Sequence, residues 1–160
     1  MSAPRNLSGK VIGGTVAAVL IAAAAIIRPW EGLETDPYLD TVGVWTVCYG
    51  QTGVEMRSYT PDECDAMLRE SVARYADAVA KCIHRPLEVH QWAAVTSWAY
   101  NVGTGAACGS TLVRQINAGE PPEVWCRQLL RWDKAGGRTV RGLTLRRQAE
   151  YRVCIGEVEE

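Results

Sequence analysis

Residues 30–50 read WEGLETDPYLDTVGVWTVCYG, and this stretch determines how the rest of the chain is interpreted. Between Tyr38 and Tyr49, β-forming residues alternate on both sides of Thr41-Val42-Gly43, which predicts a short hairpin or twisted ribbon. The predicted hairpin carries Asp40 on one arm and Thr46 on the other. The signals after it are helical, so the sequence predicts an α+β, mainly helical fold with a small hairpin lobe and a larger helical lobe.

The helical lobe is marked by caps and breaks. Thr60-Pro61-Asp62-Glu63 has the pattern of a capping box with proline at the first helical position, and this predicts a helix that ends before Pro86. A second helix is predicted from Glu88 to the Gly103-Thr104-Gly105 break. Further helices are predicted at about 110–118, 122–134 and 144–155. A cleft between the two lobes is a natural place for a polymeric substrate.

Three side chains in the opening stretch have the chemistry of a hydrolytic site. Glu31, Asp40 and Thr46 supply two carboxyl groups and one hydroxyl. An enzyme that cleaves a glycosidic bond needs one carboxyl group to protonate the leaving oxygen and a second polar group to position the water. We therefore predict that these three residues are catalytic.

Overall charge gives no reason to expect a nucleic acid partner, because 17 basic and 18 acidic residues leave a net charge of -1. The basic residues do concentrate late in the chain. We interpret this late basic group as a solvated helical surface, and contact with an anionic polymer is the alternative. The group comprises Arg127, Arg131, Lys134, Arg138, Arg141, Arg146 and Arg147.

The six cysteines, at positions 48, 64, 82, 108, 126 and 154, include no closely spaced pair of the kind that binds zinc. We predict neither a metal nor another cofactor. An even number of cysteines in an exported chain favours disulfides over free thiols, and six cysteines allow fifteen pairings. The expected helix neighbours favour 48 with 64, 82 with 108, and 126 with 154.

Residues 11–27 form an uncharged run preceded by Arg5 and Lys10, a pattern typical of membrane targeting with the N-terminus inside. As a helix the run would span about 26 Å, slightly less than the roughly 30 Å of a bilayer core. Six alanines, Gly13, Gly14 and Thr15 weaken it further as an anchor. Such a helix has the properties to enter a membrane and to leave it.

Four interpretations of this run are open: a cleaved signal peptide, a permanent anchor, a weak anchor that is released intact, and a buried core helix. Cleavage after Ala22-Ala23-Ala24 would leave the new terminus within about seven residues of Glu31, and would remove most of a helix that seats it. Intact release is therefore favoured, with residues 1–27 as the releasable segment and residues 28–160 as the catalytic domain.

The spacing of Glu31, Asp40 and Thr46, E-x8-D-x5-T, resembles that of phage-type lysozymes, the family that contains T-even phage lysozyme. The resemblance covers roughly residues 28–156. Within this family the chain is most similar to endolysins with a signal-anchor-release segment. The other matching segments are Pro86-Leu87, Gln91, residues 97–103, Ser110-Thr111-Leu112, Asn117-Ala118-Gly119, Arg131-Trp132, Ala135-Gly136-Gly137, Gly142-Leu143 and Arg146-Arg147.

This resemblance implies a lysozyme-like two-lobe fold and roles for particular residues. It makes Glu31 the proton donor, while Asp40 and Thr46 orient the attacking water. Other matching positions imply substrate binding in the cleft. These are Gly50, Tyr100, Asn101 and Ser110. Gln51 stands where the family commonly has histidine, so no family role is transferred to its side chain.

The implied activity is hydrolysis of the bond between N-acetylmuramic acid and N-acetylglucosamine in peptidoglycan, by a monomer. Storage on the inner membrane through residues 11–27 would precede release into the periplasm. Because Glu31 follows Ile27 by only four positions, the membrane-held form is expected to have a blocked or incomplete cleft. The alternatives are a lytic transglycosylase, which needs no water nucleophile, and a non-catalytic, membrane-tethered wall-binding protein.

Overall fold

The computed structural model describes residues 4–157, so positions 1–3 of the predicted segment and 158–160 of the predicted domain lie outside the described residues. In chain order the elements are β1 (Val11–Ile12), α1 (Val16–Glu31), β2 (Glu34–Leu39), β3 (Trp45–Cys48), α2 (Pro61–Ala80), β4 (Leu87–Glu88), α3 (Val89–Val102), α4 (Thr104–Cys108), α5 (Thr111–Asn117), α6 (Pro122–Trp125), a 3₁₀ helix (Cys126–Arg131), β5 (Lys134–Ala135), β6 (Arg138–Thr139) and α7 (Arg141–Cys154).

The uncharged run does not form a helix over its whole length. Its first two residues form β1, which pairs in parallel with β4. Helix α1 then begins at Val16, because Gly13 and Gly14 disfavour helix and the Thr15 hydroxyl accepts a hydrogen bond from the Ala18 N–H as the N-cap. The expectation of a helix from Val11 is wrong by five residues, and α1 extends beyond Ile27 to Glu31.

Helix α1 lies between the two apolar clusters of the core. Val19 belongs to the cluster of the helical lobe, which also contains Trp92, Trp98 and Trp125. Ala23, Ala24 and Ile27 belong to the second cluster, which joins α1 to the hairpin and to α2. Full burial of a valine or isoleucine side chain stabilises a fold by about 1.5–3 kcal/mol. Helix α1 therefore contributes to the packing of both lobes.

The predicted hairpin is confirmed. Strands β2 and β3 are antiparallel and place Tyr38 opposite Thr46 and Leu39 opposite Trp45. The pairing is irregular between Glu34 and Tyr38. Pro37 lies in this interval and has no N–H to donate to a neighbouring strand, which accounts for the irregularity.

Most of the predicted helix boundaries are confirmed within a few residues. Thr60 and Glu63 form the predicted capping box of α2, and Gly103 ends α3. Helix α4 was not predicted, because Thr104 and Gly105 are typical of a break. The helix predicted at 122–134 divides instead into α6 and the 3₁₀ helix, and α7 begins three residues before the predicted start at 144.

Three disulfides join the elements, and the favoured pairing is confirmed. Cys48–Cys64 joins β3 to α2, Cys82–Cys108 joins the end of the α2 region to α4, and Cys126–Cys154 joins the 3₁₀ helix to α7. In an oxidising compartment, each such link stabilises a fold by about 2–4 kcal/mol. Over residues 4–157, none of the helices combines the length and the apolar character required to cross a bilayer.

Candidate active site

Glu31 is the last residue of α1. Gly32 follows it with a φ of +68°, a conformation that glycine adopts without strain and that ends the helix. The Glu31 side chain is 23% exposed, and its Oε1 accepts a hydrogen bond of 2.9 Å from Nη1 of Arg146 on α7. The position of this carboxyl group therefore depends on the packing of two helices far apart in sequence.

Arg146 belongs to a buried polar network around Glu150. Its Nε donates to Glu150 Oε2 at 3.3 Å, and its Nη2 donates to the Ser97 carbonyl oxygen at 3.1 Å. The Ser97 hydroxyl donates to the same Glu150 oxygen at 2.6 Å. Arg147 Nε lies 2.8 Å from Glu150 Oε1. The guanidinium groups of Arg146 and Arg147 are thus held together around Glu150, and Arg146 connects this network to Glu31.

This network corrects the interpretation of the late basic residues. Arg146 and Arg147 are buried, with 3% and 0% exposure, so the predicted solvated surface is wrong for these two residues. Its other five members are exposed, as predicted, but Lys134 and Arg138 lie on strands β5 and β6, so the prediction of a helical surface is wrong for these two. Arg146 and Glu150 stand four residues apart on α7, and Arg147 and Glu150 three apart, so one helix presents all three side chains to the interior.

Burial has opposite effects on the two kinds of charge in this network. It raises the pKa of the Glu150 carboxyl group, and this effect is opposed by Arg147, Arg146 and the Ser97 hydroxyl. Burial also lowers the pKa of Arg147, which the Glu150 carboxylate opposes. Removing one partner would leave another charge buried and uncompensated.

Asp40 is held by the hairpin turn. Its Oδ1 accepts hydrogen bonds from the N–H groups of Val42 at 2.9 Å and Val44 at 2.8 Å. The Asp40 N–H also donates to the Val44 carbonyl oxygen. These contacts lie within four residues along the chain and fix the carboxylate through backbone groups.

Thr46 lies two residues beyond Val44 and is only 4% exposed. Its hydroxyl donates to the Val44 carbonyl oxygen at 3.0 Å, so the proton is directed to the backbone and an oxygen lone pair remains to accept from another group. Val44 therefore contacts both Asp40 and Thr46, and connects these two predicted catalytic residues.

A cavity of about 340 Å³ opens beside Glu31. Of the predicted substrate-binding residues, Gly50, Tyr100 and Asn101 line it together with Glu31. Gly50 has a φ of +78°, and a Cβ atom at this position would lie 3.3 Å from Glu31 Oε2. A glycine therefore allows both the backbone turn and the close approach of the carboxyl group.

Tyr100 packs against Tyr75 with ring centroids 4.9 Å apart, and its hydroxyl donates to the Tyr49 carbonyl oxygen at 3.5 Å. The pKa of Tyr100 is raised to about 12. Burial is the main cause, and the negative charge of the nearby Glu31 carboxylate adds to it. Asn101 Oδ1 accepts a hydrogen bond of 2.9 Å from Arg147 Nη2. The buried arginine network therefore touches this side of the cavity as well.

Gln51 also lines the cavity. Its side-chain amide is buried and exchanges hydrogen bonds with the Ser71 hydroxyl, at 3.1 and 3.2 Å. Arg74 Nη2 donates to the same hydroxyl at 3.1 Å. Gln51 thus links the segment after β3 to helix α2 by neutral hydrogen bonds.

Asp40, Thr46 and Ser110 are not among the residues that line this cavity. Ser110 is the N-cap of α5: its hydroxyl accepts from the Val113 N–H and donates to the Ala107 carbonyl oxygen. Its predicted contact with substrate stays a prediction. Within residues 4–157, no group of three or more histidine, cysteine, aspartate or glutamate residues is placed to hold a metal ion.

The sequence of the chain is similar to those of known proteins. A sequence model of the family described as phage lysozyme matches residues 28–150. The SAR-endolysin of Enterobacteria phage P21 is 38% identical over 157 residues, covering 94% of each chain.

Two solved structures have a similar fold. The endolysin from Escherichia coli O157:H7 phage FAHEc1 has a TM-score of 0.77 and 28% identity, over 87% of this chain and 94% of its own. The active form of the P1 phage endolysin Lyz has a TM-score of 0.74 and 24% identity, over 95% of this chain and 99% of its own. With its lysozyme-like fold and its match to the family model, the chain belongs to the phage lysozyme family and is a glycoside hydrolase.

Proposed function

We propose that this lysozyme hydrolyses the β-1,4 bond between N-acetylmuramic acid and N-acetylglucosamine in peptidoglycan, and lyses the host cell from the periplasm. Glu31 protonates the leaving glycosidic oxygen, and Asp40 and Thr46 orient the attacking water. The cavity beside Glu31, lined also by Tyr100 and Asn101, supports this assignment because it offers a glycan room and hydrogen-bonding groups next to the acid.

The proposal extends to an inactive, membrane-tethered state held by residues 11–27. One observation carries it: residues 16–27 of the uncharged run and the proposed catalytic acid belong to the same helix, α1. If residues 11–27 lay in a bilayer, Val19, Ala23, Ala24 and Ile27 would be withdrawn from both core clusters. Glu31 would then be separated from Arg146. Similarity to proteins named SAR-endolysins supports the same arrangement.

The first experiment tests the reaction. Purified Gram-negative sacculi are incubated with wild type and with Glu31→Gln, and the released muropeptides are identified by mass. Reducing-end N-acetylmuramic acid from the wild type alone is the expected result. Anhydro products would assign a transglycosylase instead, and equal lysis by both proteins would assign a non-enzymatic mechanism.

The second experiment tests the tethered state. Ala17 and Ala25 are exposed on α1, so replacing both by leucine strengthens the membrane segment with little effect on the packed core. The double serine variant at the same positions is the matched control that weakens the segment. We expect the leucine variant to stay longer on inner-membrane vesicles and to digest added glycan more slowly. Membrane-held protein that digests glycan as fast as released protein would contradict the proposal.

A further inference from the structure

The cavity beside Glu31 is also lined by a basic side chain that is always charged. Arg74, on α2, lines the cavity together with Glu31, Gln51 and Asn101. Its Nη2 donates to the Ser71 hydroxyl at 3.1 Å, and Ser71 is in turn held by the buried Gln51 amide. This contact places the guanidinium group at one wall of the cavity.

Charge pairing distinguishes Arg74 from the other arginines near the site. Arg146 pairs with Glu31 and Glu150, and Arg147 pairs with Glu150. Among residues 4–157, no carboxylate forms an ion pair with Arg74. A guanidinium group has five N–H donors, and Ser71 uses one. The remaining donors are available to a ligand in the cavity.

The positive charge of Arg74 acts on the cavity itself. Its electrostatic effect favours the ionised form of Tyr100 and so opposes the rise in the pKa of that residue. The other side chains at this wall, among them Gln51, Thr52 and Asn101, are neutral hydrogen-bonding groups suited to hydroxyls and acetamides. Arg74 is suited to an anion, and its planar fork matches a carboxylate.

Peptidoglycan differs from neutral polysaccharides in carrying carboxylates, on its stem peptides and on lactyl groups from which a peptide has been removed. We propose that Arg74 is a substrate-binding residue that contacts a carboxylate of the peptidoglycan substrate beside Glu31. This inference rests on the proposed muramidase function. It makes the enzyme selective for anionic glycan strands over neutral ones.

The test compares Arg74→Gln, Arg74→Lys and wild type on soluble, uncrosslinked peptidoglycan strands. Arg69→Gln is the matched control, because Arg69 is exposed on the same helix and does not line the cavity. We expect Arg74→Gln to raise KM roughly three- to tenfold with kcat nearly unchanged, as an exposed charge-assisted contact predicts. Arg74→Lys should recover part of the loss, and Arg69→Gln should equal wild type.

A chemical change in the substrate separates carboxylate binding from a structural effect. Strands whose carboxylates are converted to neutral methylamides should raise the KM of wild type and leave that of Arg74→Gln almost unchanged. Equal responses of both proteins to this conversion would overturn the proposal. So would an Arg74→Gln variant with wild-type KM on all anionic strands.

Amidase-treated strands identify which carboxylate is bound. A defect of Arg74→Gln on intact strands that disappears after amidase treatment assigns the stem peptide. A defect found only on amidase-treated strands assigns the lactyl carboxylate. Failure of the proposed function is a separate outcome, because wild type would then release no reducing-end N-acetylmuramic acid from any strand.

Discussion

The two halves of the proposed catalytic site are held in place in different ways. Glu31 is fixed by Arg146, which lies 115 residues away in sequence and belongs to a buried network with Glu150. Asp40 and Thr46 are fixed by hydrogen bonds to Val42 and Val44, within four residues of each. The acid therefore depends on the assembled tertiary structure, whereas the proposed water-positioning pair depends on one turn.

This difference connects folding to activity. The hydrogen bonds that hold the Asp40 carboxylate come from the hairpin turn itself and involve no residue of α1 or α7. The Glu31–Arg146 ion pair exists only when both helices are packed on α3. A process that withdraws α1 would therefore separate the proposed acid from Arg146. It would also remove the packing of α1 against Val47 and Cys48, but the hydrogen bonds within the turn that hold Asp40 involve no residue of α1.

The largest effect is expected from disrupting the buried network that holds Glu31, at Glu150. Replacing Glu150 by alanine leaves two buried guanidinium groups without their shared carboxylate, and breaking a buried ion pair in this way costs about 3–5 kcal/mol of unfolding free energy. Activity should fall as well, because Arg146 loses the contact that orients it toward Glu31. Denaturant unfolding and kcat on glycan strands measure the two effects.

The control for this change is the surface ion pair between Arg28 and Asp65, whose side chains are each 35% exposed. Asp65→Ala should cost no more than about 1 kcal/mol, since exposed pairs contribute little. If the two alanine variants lost similar stability, the buried network would not be the feature that fixes Glu31.

The second prediction tests the part of the proposed site that is held by the hairpin turn, at Asp40. Asp40→Asn keeps an oxygen that accepts from the N–H groups of Val42 and Val44, but it removes the negative charge. We expect activity to fall about a hundredfold or more with stability within about 0.5 kcal/mol of wild type. Muropeptide release measures the activity, and thermal unfolding measures the stability.

Asp40→Ala removes the charge and both hydrogen bonds, so it should cost about 1 kcal/mol more in stability than Asp40→Asn. Retention of activity by Asp40→Asn would show that Asp40 serves the turn alone. The two substitutions thus separate the structural and chemical contributions of one side chain.

The same contrast explains how much could be predicted from sequence. The hairpin, the Thr60 capping box and the disulfide pairing depend on local patterns or on neighbouring helices, and all are confirmed. The burial of Arg146 and Arg147 was missed because their partners lie far away in sequence: Glu31 and Ser97 for Arg146, and Asn101 for Arg147. The spacing of Arg146, Arg147 and Glu150 along one helix was the available signal, but the same spacing is common on solvated helices.

The third prediction uses two glycines, Gly50 and Gly53, to test how closely the position of Glu31 is fixed. Gly50 and Gly53 have φ values of +78° and +69°, so alanine at either position is strained by about 1–2 kcal/mol. Only at Gly50 would the new Cβ lie against Glu31 Oε2, since the space around Gly53 is open. We expect similar losses of melting temperature in Gly50→Ala and Gly53→Ala, but a loss of kcat of about tenfold in Gly50→Ala alone. Equal kcat values would show that Glu31 moves freely beside position 50.

The smallest effect is expected from another locally held carboxylate, Glu63 in the capping box of α2. A hydrogen bond from Arg57 and then one from the Thr60 N–H lower the pKa of Glu63 below its ordinary value of 4.5. A carboxyl group with a lower pKa in the folded state stabilises the fold above pH 4.5, and this contribution is lost as the pH falls through the folded-state value. Glu63→Gln should therefore be slightly less stable than wild type at neutral pH and lose less stability on acidification below pH 4.5.

Glu70→Gln, at an exposed position of the same helix, is the matched control for Glu63→Gln. Acid sensitivity will not vanish in either variant, because hydrogen bonds from Thr144 and Lys134 also lower the pKa of Asp133. Melting temperatures measured from pH 7 to pH 3 should converge for wild type and Glu63→Gln at the acidic end. Parallel curves for the two proteins would mean that Glu63 stabilises the helix cap through its hydrogen bonds alone, with no contribution from its charge.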